Sequence, residues 1–561
     1  MADAFASQTP LAERFLASAA AGAAIFLAAV LLPQSTGAQS REAAAEPTLA
    51  SCDEFLPTRQ QVDNKLVGPD KCLIISDDIV FNLKGKPFRR LELRISGTVA
   101  GFAVKQGPRL GYFNDAPDLV FTQSGNDGPR FAGVGRYEGA TGHGMSMFLP
   151  LNAADWNGKL FVTAHGAGPY GGVGTLIPRH SDADFNPLAN LNRYVGLMID
   201  RGYAVAHTLR SSNIVGGDVV VTLDDGTVLP KNNVSSHAGF IAGFTAIAEN
   251  IVRQKLGHDS QRRYFYGFSA GSMMGRHVQY QSGANKGLDG RRLFDGFLLD
   301  DAGGGMWLPI IKVDGKDVLF AGPDAERFVP QIDLSHALYV GDTGDFLKLK
   351  RENALLLAQK RLGDRHRMYE IRGVSHFDAG QTSLPALVPE TLDLGGLMES
   401  FIDMLDLWVD RGIAPPPSRS DLPAIAGGEH DGESHSLAIA LPEVACPLGE
   451  RFVFPPAHGA LRRGFQETAF AAFDGTNLEP LDGHSGFVDM NHNGMRDRRE
   501  TIREAWARLG LVKEGEPFGR RAYVACVANA AAKLVSEGFL PAGLIAWYVK
   551  RAELEAGDLA Q

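Results

Sequence analysis

Residues 263–281 read RYFYGFSAGSMMGRHVQYQ, and this stretch decides how the rest of the chain is interpreted. Its aromatic run, Arg263–Tyr266, predicts a strand, and the residues after Ser269 predict a helix. The intervening letters GFSAG, at 267–271, match the pattern G-x-S-x-G. Flanking glycines relieve crowding in a tight strand-to-helix turn, so the Ser269 hydroxyl is expected to project above the end of the strand.

On either side of this turn, short apolar runs alternate with helical stretches, which is typical of βαβ units and a parallel sheet. The runs expected to form strands are Lys159–Thr163, Tyr203–His207, Arg263–Tyr266, Gly296–Leu299, His336–Val340 and Met368–Ile371. The expected helices are Ala238–Lys255, Ala270–Gln281 and Lys350–Leu362. The predicted fold class is therefore α/β, an α/β-hydrolase fold with a mostly parallel sheet and helices on both faces.

A serine hydroxyl becomes an effective nucleophile only beside a base that is itself oriented by a carboxylate. In this fold the acid and then the histidine follow the serine along the chain. His376 comes directly after the predicted strand Met368–Ile371 and is the expected base. His366 precedes that strand and is expected at the opposite edge of the sheet.

The orienting acid has several candidates. Asp345 is favoured because it stands where the chain descends into the next predicted helix. Asp342, in the same loop, is an alternative, and so is the pair Asp300 and Asp301 at the end of the preceding strand.

The oxyanion of an attacked carbonyl requires preorganised donors. One expected donor is the backbone N–H of Ala270, directly after the nucleophile. The other is expected from Gly166 and Ala167 within the letters HGAG at 165–168, which follow the predicted strand Lys159–Thr163. The alternative for HGAG is an ordinary glycine-rich turn.

Several of these motifs together resemble the tannase and feruloyl esterase family over about residues 145 to 380. The letters that carry the resemblance are WNGK at 156–159, HGAG at 165–168, RGYAV at 201–205, the GFSAG turn, and FDG at 294–296. The resemblance implies hydrolysis of a carboxylic ester, with Ser269, Asp345 and His376 at the triad positions.

The chain departs from that family at two places. The family usually has a cysteine before the nucleophile and another after the histidine, joined as a disulfide. Phe268 and Phe377 stand at these positions, so the chain resembles a cysteine-lacking branch, and we expect the two rings to pack together. The family's lid corresponds to Met306–Ile332, for which a surface hairpin is the alternative.

Residues 489–500 read DMNHNGMRDRRE and match a calcium loop of the EF-hand type in full register. A predicted helix follows, but glycines and a proline rule out a regular incoming helix, so we expect a solitary structural Ca²⁺ site. The alternative is a polar turn that caps the helix. The expected ligands are Asp489, Asn491, Asn493, Met495 through its carbonyl, Asp497 and Glu500.

The whole chain has 561 residues and a formal net charge of −10, which argues against a general nucleic-acid binder. Residues 1–38 read as a signal peptide around the apolar run Phe15–Leu32, with an uncleaved anchor as the alternative. No other stretch approaches membrane length. Export to the periplasm or the exterior fits the presence of four cysteines, because disulfides form in oxidising compartments. Closing loops within one domain favours the pairs Cys52–Cys72 and Cys446–Cys526, and four free buried thiols are the alternative.

The predicted organisation is a signal peptide (1–38), a β-rich N-terminal region (51–148), a hydrolase domain (149–414), a linker (415–436) and an EF-hand-like unit (437–561). The predicted function is an exported serine esterase that cleaves a small-molecule or polymeric ester through an acyl-enzyme. An acyltransferase or a peptidase would use the same triad. A catalytically silent binding module is the alternative from another class.

Overall fold

The computed structural model describes residues 50–57, 68–81, 86–98, 102–107, 143–165, 193–209, 218–223, 235–268, 270–280, 285–301, 310–313, 316–319, 328–336, 346–359, 361–374, 392–422, 437–452, 469–473, 475, 500–513 and 516–558. All of them belong to one compact unit, Leu49–Gln561. Within these ranges, no helix has both the length and the apolar character needed to cross a membrane. The signal segment lies outside the described residues.

Sixteen strands are numbered here in chain order, and ten of the described strands form one sheet. Its order is β1-β2-β3-β5-β7-β6-β9-β10-β13-β14. From β7 to β14 the neighbours run parallel, whereas the pairs from β1 to β7 are antiparallel. The strands are β1 (Ala50–Ser51), β2 (Gly68–Phe81), β3 (Pro87–Thr98), β4 (Phe102–Gly107), β5 (His143–Pro150), β6 (Lys159–His165), β7 (Ala204–Leu209), β8 (Asp218–Leu223), β9 (Arg262–Phe268), β10 (Gly296–Asp300), β11 (Ile310–Val313), β12 (Lys316–Leu319), β13 (Gln331–Ser335), β14 (His366–Glu370), β15 (Gly449–Phe452) and β16 (Ala469–Ala472).

Helices cover both faces of this sheet because successive residues of a strand point to opposite sides. In β9, Tyr264, Tyr266 and Phe268 enter the core shared with helices α1 (Arg193–Asp200) and α5 (Gly395–Arg411). Phe265 enters the core shared with helices α2 (Ser235–Leu256) and α3 (Ala270–Tyr280). A mostly parallel sheet between two helical layers is the predicted α/β-hydrolase fold. The helices are α1 (Arg193–Asp200), α2 (Ser235–Leu256), α3 (Ala270–Tyr280), α4 (Phe346–Gln359), α5 (Gly395–Arg411), α6 (Pro442–Ala445), α7 (Ile502–Arg508), α8 (Arg520–Ser536) and α9 (Leu544–Glu555).

Four of the described N-terminal strands, β1, β2, β3 and β5, belong to the main sheet. Strand β5 pairs with β3 on one side and with β7 on the other, so the expected boundary between residues 148 and 149 falls inside a strand of the main sheet. Strands β1, β2, β3 and β5 therefore form the antiparallel edge of the main sheet. Composition indicated strands there, but it carried no information about their partners.

One predicted strand is displaced by five residues. We expected His336–Val340, whereas the structure places β13 at Gln331–Ser335. Asp333 is buried in this strand because Arg276 and His366 hold its carboxylate, each at 2.8 Å. A search for apolar runs passes over a strand whose polar residues are paired inside the protein. His366 opens β14, at the edge where we expected it.

The lid candidate, Met306–Ile332, extends too far along the sequence, because Ile332 lies inside β13. Its described middle part is the antiparallel hairpin of β11 and β12, with Val313 opposite Lys316. This part of the segment therefore forms a hairpin, as in the alternative.

The C-terminal helices pack on the same core as α5. The Tyr369 ring lies 5.1 Å from Phe401 and 5.2 Å from Phe539, measured between centroids. The described helices α8 and α9 therefore share the core beneath the main sheet. The structure contains both expected disulfides, Cys52–Cys72 and Cys446–Cys526, and the second joins the end of α6 to α8.

Candidate active site

The connection between strand β9 and helix α3 is short, as the GFSAG pattern predicts. Strand β9 ends at Phe268 and α3 begins at Ala270, so Ser269, which lies outside the described residues, is the single residue between them. A Cβ on Gly267 would lie 2.6 Å from the Ser272 nitrogen and 2.7 Å from the Gly271 carbonyl carbon. Such distances leave room only for glycine at this position.

The first turn of α3 is bonded to two strands at once. The Ser272 hydroxyl lies 2.5 Å from the carbonyl oxygen of Gly267 and 2.9 Å from that of Asp300. These contacts fix the start of the helix against β9 and β10. The turn is therefore held by the fold as well as by its glycines.

The strand register places the HGAG segment beside this turn. His165, the last residue of β6, lies opposite Phe268, and Asp300 lies opposite Phe268 on the other side. Gly166 and Ala167 follow His165 directly and lie outside the described residues. Because parallel strands end at one edge of a sheet, the elements that carry the expected nucleophile and oxyanion donors converge there.

The expected acid and base belong to segments that leave the same edge. Strand β13 ends at Ser335 and α4 begins at Phe346, and the segment between them carries Asp342 and Asp345. His376 follows β14. These three residues lie outside the described residues, and so does Phe377. Its expected partner, Phe268, is buried in the core, only 2% exposed.

Asp300 and Asp301, the alternative acids, are both fully buried and have defined partners. The Tyr266 hydroxyl donates to one Asp300 carboxylate oxygen at 2.8 Å, and the His336 Nε2 atom lies 2.9 Å from the other. The Asp301 Oδ1 atom accepts from the His336 backbone N–H at 3.0 Å and from the Lys350 ammonium at 3.1 Å.

Sequence reasoning missed His336 and Lys350, because His336 stands in a predicted strand and Lys350 begins a predicted helix, and neither position indicates a buried partner. It also missed His207 in β7, whose Nδ1 atom lies 2.7 Å from the Thr163 hydroxyl. Burial lowers the pKa of His207 to about 4, so this imidazole is neutral at physiological pH. Strands β6 and β7 pair so that His207 lies opposite Thr163, and the sequence contains no information about this pairing.

At the opposite edge, basic residues hold α5, the helix that follows the His376 segment. The Lys159 ammonium lies 2.6 Å from Asp406 and 2.5 Å from Asp410. Arg201 contacts Asp403 at 2.5 Å. These pairs anchor α5 to the sheet edge.

Of the predicted calcium ligands, Glu500 alone lies within the described residues. Its carboxylate accepts from Arg508 at 2.8 and 2.7 Å, and this bonding lowers the pKa of Glu500. Thr501 then caps α7 in a reciprocal capping box with Glu504. Glu500 is thus an ionised, partly exposed carboxylate before a helix, which fits an oxygen donor for Ca²⁺. Within the described part of the chain, no cluster of three His, Cys, Asp or Glu residues is poised to hold a metal.

No protein-family model matches the sequence, and no curated protein matches it. Among solved structures, an esterase from Aspergillus oryzae is 9% identical, covers 68% of this chain and 93% of its own, and has a TM-score of 0.29. A poly(3-hydroxybutyrate) depolymerase, LpqC from Bordetella parapertussis, is 12% identical over 49% of this chain and 87% of its own, with a TM-score of 0.28. A dienelactone hydrolase-like promiscuous phosphotriesterase from metagenomic libraries is 12% identical, covers 55% of this chain and 98% of its own, and has a TM-score of 0.26. Scores this low add nothing to the fold assignment, which rests on the sheet order and the two helical layers.

Proposed function

We propose that this chain is an exported serine hydrolase that cleaves a carboxylic ester through an acyl-enzyme intermediate. The observation that carries the proposal is the one-residue connection between β9 and α3 at the carboxyl edge of the sheet. Gly267, where a Cβ would meet helix backbone at 2.6 Å, keeps that connection tight. A serine at such a turn is the arrangement that nucleophilic acyl transfer uses.

In the proposed reaction, His376 takes the proton of the Ser269 hydroxyl as its oxygen attacks the ester carbonyl. The N–H groups of Ala270 and of the Gly166–Ala167 segment stabilise the resulting oxyanion. Collapse of the tetrahedral species breaks the ester bond, and His376 returns the proton to the departing alcohol. Water then repeats the sequence on the acyl-enzyme and releases the carboxylic acid.

We assign the orienting role to Asp345, with Asp342 as the nearest alternative. The contacts of the other two candidates support this choice. Both Asp300 oxygens already contact Tyr266 and His336, and Asp301 accepts two donors on a single oxygen. Asp345→Asn is expected to lower kcat strongly because His376 loses its acceptor.

The substrate class is proposed as a carboxylic ester, small or polymeric, cleaved by a cysteine-lacking relative of the tannase and feruloyl esterase family. Two disulfides in the structure support an oxidising compartment, in agreement with the expected signal peptide. A structural Ca²⁺ at 489–500 is part of the proposal. When bound, it would draw Glu500 and the five upstream ligands together before α7.

The decisive experiment is labelling with a fluorophosphonate, followed by hydrolysis of a panel of alkyl, aryl and phenolic esters. Wild type is expected to be labelled once per chain, and Ser269→Ala to lose both labelling and hydrolysis. His376→Ala should be as inactive as Ser269→Ala, and the double variant little worse, because the two residues act as a unit. Ser260→Ala, which removes a buried hydroxyl at the opposite edge of the sheet, is the matched control and should be labelled normally.

Absence of labelling and of hydrolysis in wild type would contradict the enzyme proposal and favour a binding module. Labelling with faster cleavage of peptide anilides than of any ester would identify a peptidase. Transfer of the acyl group to an added alcohol, in preference to water, would identify an acyltransferase.

A further inference from the structure

Two adjacent carboxylates close β10, and neither is accounted for by the proposed chemistry. Asp300 and Asp301 are each 0% exposed, and burying a carboxylate is costly unless it is paired and hydrogen-bonded. Their partners come from β9, from the residue after β13 and from α4. The pair thus connects the strand that precedes the nucleophile with the elements that flank the acid-bearing segment.

Asp301 contacts both ends of that segment through one oxygen atom. Its Oδ1 accepts from the backbone N–H of His336, at the start of segment 336–345, and from Lys350 in α4, just after the segment. The Lys350 ammonium also lies 3.1 Å from the Ser335 hydroxyl. The last residue of β13 and the beginning of α4 are therefore held to a common point.

The backbone of Asp301 indicates that this contact is enforced by its surroundings. Its φ is 42°, in the left-handed region that residues other than glycine adopt only at an energetic cost. This conformation follows the final strand residue, Asp300, and accompanies the contacts to His336 and Lys350. A strained backbone conformation of this kind persists only where contacts with the surrounding residues hold it in place.

Asp300 extends the connection towards the nucleophile. One of its oxygens accepts from Tyr266, three residues before Ser269, and the other lies 2.9 Å from the His336 ring. The His336 Nδ1 atom is 3.8 Å from Asp301, so the imidazole lies between the two carboxylates. A path of buried contacts thus runs from β9 through β10 to both flanks of the acid segment.

We propose that Asp301 and Lys350 are positioning residues that set the acid-bearing segment in register with the nucleophile strand. This inference rests on the proposed serine hydrolase function. Asp345 directly precedes α4, and Lys350 anchors that helix five residues later. Triads require their members to be held within about 0.5 Å of the productive geometry, which an anchored helix start provides.

The test compares Asp301→Asn and Lys350→Met with the control Glu249→Gln. Glu249 is also a buried carboxylate, but it contacts Ser260, at the opposite edge of the sheet. Both positioning variants should lower kcat about 10- to 100-fold, as expected for a displacement approaching 1 Å, with KM within about twofold of wild type. Glu249→Gln should lower the melting temperature and leave kcat unchanged. Lys350→Arg, which keeps a cation, should recover most of the lost kcat.

The pH profile gives a readout that a purely structural role would not change. An orienting carboxylate stabilises the imidazolium, so poorer positioning should shift the acidic limb of kcat/KM to lower pH. If wild type is active and both variants keep kcat and this limb unchanged, the positioning role is wrong while the function stands. If wild type neither hydrolyses esters nor reacts with the fluorophosphonate, the proposed function fails and this inference fails with it.

Discussion

Replacing Gly267 with alanine adds one methyl group where β9 turns into α3. The new Cβ would lie 2.6 Å from the Ser272 nitrogen and 2.7 Å from both the carbonyl carbon and the oxygen of Gly271. All three are backbone atoms in the first turn of the helix, so no side-chain rotation relieves the overlap. The turn itself must move.

The size of the movement follows from these distances. Ordinary van der Waals contact for such a Cβ begins at 3.4 Å, so the first turn must shift by about 0.8 Å. Overpacking of this kind lowers the free energy of unfolding by about 1–3 kcal/mol. A displacement of nearly 1 Å at a reacting group can cost about 100-fold in rate. We therefore expect Gly267→Ala to lower kcat/KM about 10- to 100-fold while the protein still folds.

The assay measures ester hydrolysis and the rate of fluorophosphonate labelling beside a urea unfolding curve. Gly543→Ala is the matched control, because its Cβ would meet no atom within 4 Å and its φ is −60°. This control should resemble wild type in every measurement. Retention of kcat/KM within twofold by Gly267→Ala would refute the tight-turn argument. Loss of stability with full activity would place the reacting group elsewhere.

Three further perturbations test the stability of the fold and the proposed metal loop. Replacing both Cys446 and Cys526 with serine removes a crosslink that spans 80 residues. Because the unfolded chain then gains conformational entropy, the free energy of unfolding measured in urea should fall by about 4–5 kcal/mol. An unchanged free energy of unfolding would show that the disulfide does not constrain the unfolded chain. Chelation of Ca²⁺ should lower the melting temperature, and Glu500→Gln should do the same, since a ligand that binds the native state stabilises it. An unchanged melting curve after chelation would show that residues 489–500 form a polar turn and bind no Ca²⁺. Burial raises the pKa of Asp333, but the charge of Arg276 outweighs burial and holds that pKa well below its usual value. The ionised Asp333 therefore stabilises the folded protein above about pH 4, and this contribution is lost as the pH falls further. Asp333→Asn should therefore flatten the fall of the urea midpoint between about pH 4 and pH 2, and an unaltered slope would contradict the assignment.

The sequence was most informative where the signal is local. Strand β9 and helix α3 lie where the GFSAG pattern predicts, because a tight strand-to-helix turn imposes its requirements on contiguous residues. Helix α2 spans Ser235–Leu256 against the expected Ala238–Lys255, since a long periodic pattern defines its own bounds within a few residues. The two cysteine pairs also followed from the order of the cysteines, since each joins two cysteines that are neighbours along the chain.

The sequence was least informative where polar residues are buried by distant partners. Strand β13 was displaced because Asp333 reads as a surface residue until Arg276, 57 positions away, neutralises it. Asp301 stayed among the candidate acids for a similar reason. Its partner Lys350 is 49 positions along the chain in α4, and only the packing of that helix beside β10 and β13 brings the two together.

The sequence by itself thus predicted the fold class, the one-residue connection between β9 and α3, and the order along the chain of the residues expected to act as nucleophile, acid and base. Tertiary structure decided that strands β1, β2, β3 and β5 extend the main sheet and that the described C-terminal helices share its core. It also gave Asp300 and Asp301 their partners in β9, at His336 and in α4. The reason is physical: backbone sterics and side-chain periodicity act between neighbours in sequence, whereas strand pairing and buried charge pairs depend on residues that only folding brings into contact.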